Sequence, residues 1–189
     1  NWNGARIGAF ETYMDTPYWE QLQYVGDTRI QSLISLYVAG DDRLMRQAIE
    51  HFDLSRIPEG ITASRYPSVI RQEIPPFALI HVAMVHDYFM HRRDDAFVRA
   101  RLAGIRGILD WYGRYVDSTG LLGGMPYWNY VDWTPPWDGG VPPGAADGHS
   151  ATIALLYVYA LQRAAEMEDS VGMRGVGPAY RARAASMLR

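Results

Sequence analysis

Apolar residues recur along this chain at helical rather than strand spacing. Ile7, Phe10 and Met14 share one face of a helix expected from Gly4 to Met14. Ile30, Leu33, Leu36 and Tyr37 repeat the period after Asp27, which is suited to cap a helix N-terminus, and Gly40 marks the end. Asp41 and Asp42 open a third helix, with Leu44, Ala48 and Phe52 on one face. Prolines and a glycine then break up residues 57–75 into a loop. Pro76 suits the first turn of a fourth helix carrying Leu79, Val82, Val85 and Phe89. Asp94 or Asp95 begins a fifth, through Val98, Leu102, Ile105, Ile108, Leu109 and Tyr112. After an irregular stretch from Asp117 to Gly148, an apolar helix runs from about Ser150 to Met167. Its core stripe is expected to be Ile153, Leu155, Leu156, Val158, Tyr159 and Leu161. A last helical piece begins near Pro178, and Tyr180-Arg-Ala-Arg within it reads as a solvated face.

No β-branched alternation competes with this pattern. The class is all-α, with about six or seven helices joined by alternating short and long connections. Such a chain forms antiparallel helix pairs, in a bundle or in a ring of hairpins. The long loops then gather at one end, where function usually sits.

Composition narrows the classes further. Residues 1–189 read as one unit without an internal boundary, and 48% hydrophobic residues suffice for a core. A net charge of −3, with no basic cluster, speaks against a nucleic-acid partner. All 18 basic residues are arginine. Without cysteine there is no disulfide, thiolate metal site or cysteine nucleophile, and the compartment stays open. No run of about 18 apolar residues suggests a membrane span. The 6 tryptophans and 13 tyrosines are an enrichment that suits stacking on a ligand.

Two segments concentrate chemistry. Asp15-Thr16-Pro17-Tyr18-Trp19-Glu20-Gln21-Leu22-Gln23-Tyr24-Val25-Gly26-Asp27-Thr28-Arg29 holds three carboxylates among aromatics. Cleaving a glycoside needs a carboxylic acid to protonate the leaving oxygen, and acceptors for the sugar hydroxyls. Trp19 and Tyr24 could raise the pKa of Glu20 toward neutrality. The residues alone equally allow a plain reading: Asp27 a helix cap, Glu20 a solvated side chain, Asp15 a turn former. The second segment, Met125 to Gly140, sets Trp128, Trp133 and Trp137 among prolines and glycines. Aromatic faces stack on sugar C–H faces while nearby Asp or Asn side chains would take hydroxyls. A satellite core beneath a long loop is the alternative.

The first segment resembles the opening signature of the six-hairpin catalytic domain of bacterial α-L-rhamnosidases, glycoside hydrolase family 78. Members read Asp-Cys-Pro, then a Glu, then Gly-Asp seven residues after that Glu, and Glu20 and Asp27 keep that spacing. The resemblance implies an (α/α)6 toroid and assigns Glu20 as general acid. Asp15 and Asp27 match the acidic residues that hold the rhamnose hydroxyls, and Tyr24 stands where many members carry tryptophan. Asp132-Trp133 resembles a Gly-Asp-Trp element lining the sugar pocket, with Val131 in place of the glycine. Trp128 is a further wall candidate. Phe77 falls near a substrate-facing aromatic of the family, although helix-start packing explains it as well. Many members have an arginine before the acid, where Tyr18-Trp19 stand here, and this bears on sugar specificity.

The resemblance covers Ile7 to the helix starting near Ser150, and it implies the first half of the ring. The family inverts the anomeric centre, and the general base is expected outside this chain, since Glu166 and Glu168 do not match its motif. The expected partners are a rhamnosylated glycoside or polysaccharide, the remainder of the catalytic domain and flanking β-domains. The chain alone is expected to expose apolar surface and to lack full activity. Another (α/α)6 glycosidase, or a non-catalytic carbohydrate-binding relative, are the alternatives. No cofactor or metal is expected. His81, His86 and His91 are five residues apart, so each turns about 140° from the last and they cannot share an ion. No Gly-x-Ser-x-Gly elbow occurs, and Gly120-Leu-Leu-Gly-Gly is a turn.

Overall fold

The structure, a computed structural model, describes residues 2–189, so Asn1 lies outside it. Its helices are α1 (Trp2–Ile7), α2 (Val25–Ala39), α3 (Arg43–Leu54), α4 (Pro75–His91), α5 (Asp95–Gly113), α6 (Ala151–Val171) and α7 (Val176–Met187). A 3-10 turn covers Asp138–Gly140, and extended pairing among the described residues is confined to isolated bridges.

The first helix is shorter than its period predicts. It ends at Ile7, and residues 8–14 reverse direction through Met14 N–H to the Gly8 carbonyl at 2.8 Å. Tyr13 explains the reversal: it is fully buried and its hydroxyl donates to Ser35 Oγ on α2 at 2.8 Å. That tertiary anchor outweighs a weak local helix, and Phe10 and Ile7 are left exposed. Asp27 is likewise not a cap. Helix α2 begins at Val25, whose free N–H donates to the Ser64 carbonyl at 3.0 Å, so loop backbone replaces a side-chain cap.

The inward face of α2 is Val25, Thr28, Ser32 and Leu36; Ile30 and Tyr37 face out. Helices α1, α3 and α4 pack on its buried side, and on the outer side Ile30 and Val38 are exposed while Tyr37 meets the His91 ring edge-on at 5.3 Å. On α3, Met45 and Ile49 join Ala48 and Phe52 inside, and Leu44 is half-buried. Pro75 and Pro76 occupy the first turn of α4, whose apolar residues run round most of its surface. Asp94 caps α5, accepting from Phe97 N–H at 3.1 Å. On α6, Ile153, Val158 and Leu161 are core, but Leu155 is exposed. Tyr180 and Ala184 of α7 turn inward against α6, which narrows the solvated face to residues such as Arg181.

Short links pair α2 with α3, α4 with α5 and α6 with α7, giving three antiparallel hairpins. The first members line up as one layer, with α4 between α2 and α6. Helix α4 also contacts α3 and α5, and α6 contacts α5, so the second members back this layer. The three long connections, 8–24, 55–74 and 114–150, each lead into the N-terminus of a front-layer helix.

Candidate active site

The first loop is shaped by its own polar groups. Asp15 N–H donates to the Leu22 carbonyl at 2.9 Å, and Leu22 N–H returns to Asp15 Oδ1 at 3.0 Å. One Asp15 oxygen therefore closes the loop, and its carboxylate stays half-buried. Thr16 Oγ1 accepts from Glu20 N–H at 3.0 Å, and Gln21 takes a positive φ of 54°. Glu20 thus rides on a tight turn with its side chain exposed. Asp27 follows in the first turn of α2.

The third loop supplies the opposite face. Val131 N–H donates to the Gly140 carbonyl at 3.0 Å and Trp128 Nε1 to the Gly139 carbonyl at 3.1 Å, which folds 128–140 back on itself. Asp132 Oδ1 accepts from Trp133 N–H at 2.8 Å. Tyr130 is buried at the centre of an aromatic cluster. It lies 5.8 Å from Phe77, 4.8 Å from Trp128 and 5.2 Å from Trp133, centroid to centroid. Phe77 in turn meets Tyr24 edge-on at 6.3 Å.

A cavity of about 440 Å³ opens between these loops, at the N-terminal ends of α2 and α4. Its lining includes Asp15, Glu20, Tyr24, Asp27, Phe77, Trp128, Asp132 and Trp133, while Trp19 stays outside it. Thr16, Gln72, Ile74 and Tyr130 complete it. Trp137 does not line it and is half-buried elsewhere. No local pattern marks Gln72, Ile74 or Tyr130 as lining, although Tyr130 lies between Trp128 and Trp133 in the sequence. A similar hollow of about 460 Å³ lies against α1, but its acid, Asp41, is already tied to Arg43 at 2.6 Å.

The cavity wall alters its acids. Partial burial and the adjacent Asp15 carboxylate raise Glu20 above the usual carboxylate range, while the Tyr24 hydroxyl pulls it back. Desolvation, with Asp15 and Asp132 nearby, also raises Asp27 against a backbone N–H that lowers it. Tyr130 is pushed up to about 12 by burial and by Asp132. The arrangement offers a proton donor on one rim, hydroxyl acceptors beneath it and an aromatic wall opposite. Among the described residues no three His, Asp or Glu side chains converge closely enough to hold a metal ion.

The family model for the bacterial alpha-L-rhamnosidase 6 hairpin glycosidase domain matches residues 2–189. The chain belongs to this family. No curated protein sequence matches it. Among solved structures, the GH78 family rhamnosidase of Bacillus sp. GL1 superposes with a TM-score of 0.86 at 24% identity, over 98% of this chain and 19% of that one. A rhamnosidase from Klebsiella oxytoca, solved with rhamnose bound, gives 0.81 at 20% identity, over 98% and 36%. At these identities the neighbours establish the fold: three hairpins of the six-hairpin α/α toroid. The chain spans only a minor part of either.

Other acids and histidines of this rhamnosidase-family chain serve the scaffold. His86 Nε2 contacts Glu166 Oε2 at 2.6 Å, and His91 Nδ1 meets the Asp87 carbonyl at 2.7 Å. His81 is fully buried 3.5 Å from Asp53. Glu168 is buried and takes Arg106 through both oxygens, at 2.7 and 2.9 Å.

Proposed function

We propose that this cavity binds a terminal α-L-rhamnose and that Glu20 protonates the departing glycosidic oxygen. One observation carries the reading: a carboxyl raised by its surroundings shares a single cavity with three further acids and an aromatic wall. Asp15 and Asp27 take sugar hydroxyls, with Asp132 as a further acceptor. Tyr24, Phe77, Trp128 and Trp133 supply apolar faces for the C–H bonds and the methyl group. The reaction inverts the anomeric centre, and a base carried outside residues 1–189 activates the water from the opposite face. Residues 1–189 alone therefore bind sugar without full turnover. Both solved neighbours are named as rhamnosidases, and one of them binds rhamnose.

The test is hydrolysis of aryl α-L-rhamnosides by the complete protein beside its Glu20→Gln variant. General acid catalysis contributes about 10²–10⁴-fold, so the variant should lose that much on a poor leaving group and far less on a dinitrophenolate. An equal loss on both would remove Glu20 from the acid role. Cleavage of another glycoside in place of the rhamnoside would keep the mechanism and discard the sugar.

A further inference from the structure

We infer that Arg65 is a positioning residue for the candidate acid, acting through the Tyr24 hydroxyl that it grips beside Glu20. The inference rests on the reading of Glu20 as the general acid. Tyr24 and Arg65 face each other across an isolated antiparallel bridge. Val25 N–H donates to the Ser64 carbonyl at 3.0 Å, and Tyr66 N–H to the Gln23 carbonyl at 3.2 Å. The bonds flank the pair, so 24 and 65 form the close, non-hydrogen-bonded type of pair, whose side chains lie nearest. Gln23 locks the register further, its Nε2 donating to the Tyr66 carbonyl at 2.7 Å.

Arg65 makes an unusual choice of partner. Its Nη1 donates to the Tyr24 hydroxyl at 2.8 Å, with the guanidinium carbon 5.5 Å from the ring centroid. No carboxylate pairs with it within 4 Å among the described residues, unlike most arginines that tie one helix to another. Its Nε is shut off from solvent. A guanidinium has only donors, so the Tyr24 oxygen must be the acceptor, and the phenolic hydrogen is turned away from Arg65. Tyr24 lines the cavity with Glu20, and Arg65 does not. The Tyr24 hydrogen is thereby left to turn into the cavity that Tyr24 and Glu20 both line, and the cation makes the phenol a better donor there. Burial, Asp15 and Asp27 drive the Glu20 carboxyl upward, and Tyr24 works against them. Arg65 holds that counterweight in place, keeping the acid able both to retain its proton and to release it.

The experiment is a double-mutant cycle in the complete protein, with Arg65→Met, Tyr24→Phe and the double variant, plus Arg65→Lys. The Glu20 carboxyl is titrated directly by NMR of ¹³C-labelled glutamate, its signal assigned with Glu20→Gln, alongside the pH profile of kcat/KM. Arg65→Met should move the Glu20 midpoint and the basic limb upward and reduce kcat/KM by roughly 10- to 100-fold. Tyr24→Phe should move them the same way, the double variant no further than Tyr24→Phe alone, and Arg65→Lys should restore part of the shift. Additive shifts, or a Glu20 midpoint indifferent to Arg65, would overturn the inference even in an active enzyme. A rhamnoside left uncut by the wild type, with the coupled titration intact, would instead overturn the sugar assignment and leave the pairing standing.

Discussion

At the scale of single residues, the site is a balance of neighbours around one carboxyl. Asp15 is both a loop clasp and, after burial, the main charge that raises Glu20. Removing that charge lowers the folded-state pKa of Glu20. A general acid must be protonated, so activity of Asp15→Asn should fall away at lower pH than in wild type. A kcat/KM profile on an aryl rhamnoside checks this, and an unmoved basic limb would disconnect the two acids. These acids were legible because they sit within thirteen residues of one another, where a spaced motif survives in a single sequence. Gln72, Ile74 and Tyr130 were not, because the cavity joins three loops separated along the chain. Their membership is a product of hairpin packing, which leaves no local trace.

At the scale of elements, close backbone approach decides the shape of the aromatic wall. Gly140 has φ 71°, and a β-carbon there would lie 2.4 Å from the Tyr130 ring. Gly140→Ala must therefore displace Tyr130, and with it the ring that joins Phe77 to Trp128 and Trp133. Sugar affinity should drop about ten-fold or more while the helices persist, as read by calorimetric titration with rhamnose and by circular dichroism. Gly26, in the first turn of α2, is subtler. A β-carbon would meet Phe77 Cζ at 3.2 Å, but alanine favours the helix by about 1 kcal/mol. A ring edge can yield a few tenths of an ångström, so Gly26→Ala should change stability little and raise KM through the shifted Phe77. A stable variant with wild-type KM would show that Phe77 does not touch the substrate. Helices α3 to α6 could be read largely from their period, because each buries a face in this core, and α5 also from its Asp94 cap, whereas Asp42 and Ser150 make no side-chain cap bond. The readings of α1 and of the α2 start failed where Tyr13 and the Ser64 carbonyl, both tertiary partners, replaced local signals.

At the scale of the molecule, arginine carries the ties between helices. Arg29 joins α2 to Asp87 of α4 at 2.7 Å, and Arg106 joins α5 to Glu168 of α6 at 2.7 Å. The densest tie is Asp53 on α3. It meets Arg56 at 2.7 Å, Arg101 of α5 at 3.2 Å and His81 of α4 at 3.5 Å, and Arg101 also reaches Glu50 at 3.6 Å. Burial would raise this acid, but His81, Arg56 and Arg101 together outweigh it and hold it down at about 2. An unfolded aspartate titrates near 3.9, so the folded state binds the proton less readily. The stabilisation is then fully present above about pH 5, shrinks as pH falls through 4 and 3, and is gone below about 2. Its size is roughly 2 kcal/mol, several degrees in Tm for a chain of this length. Asp53→Asn should melt well below wild type at pH 7, and the gap should fall to roughly half at pH 3 and close toward pH 2. A gap that stays constant across that range would mean that Asp53 contributes by shape and hydrogen bonding, with its charge irrelevant to how the three helices are held.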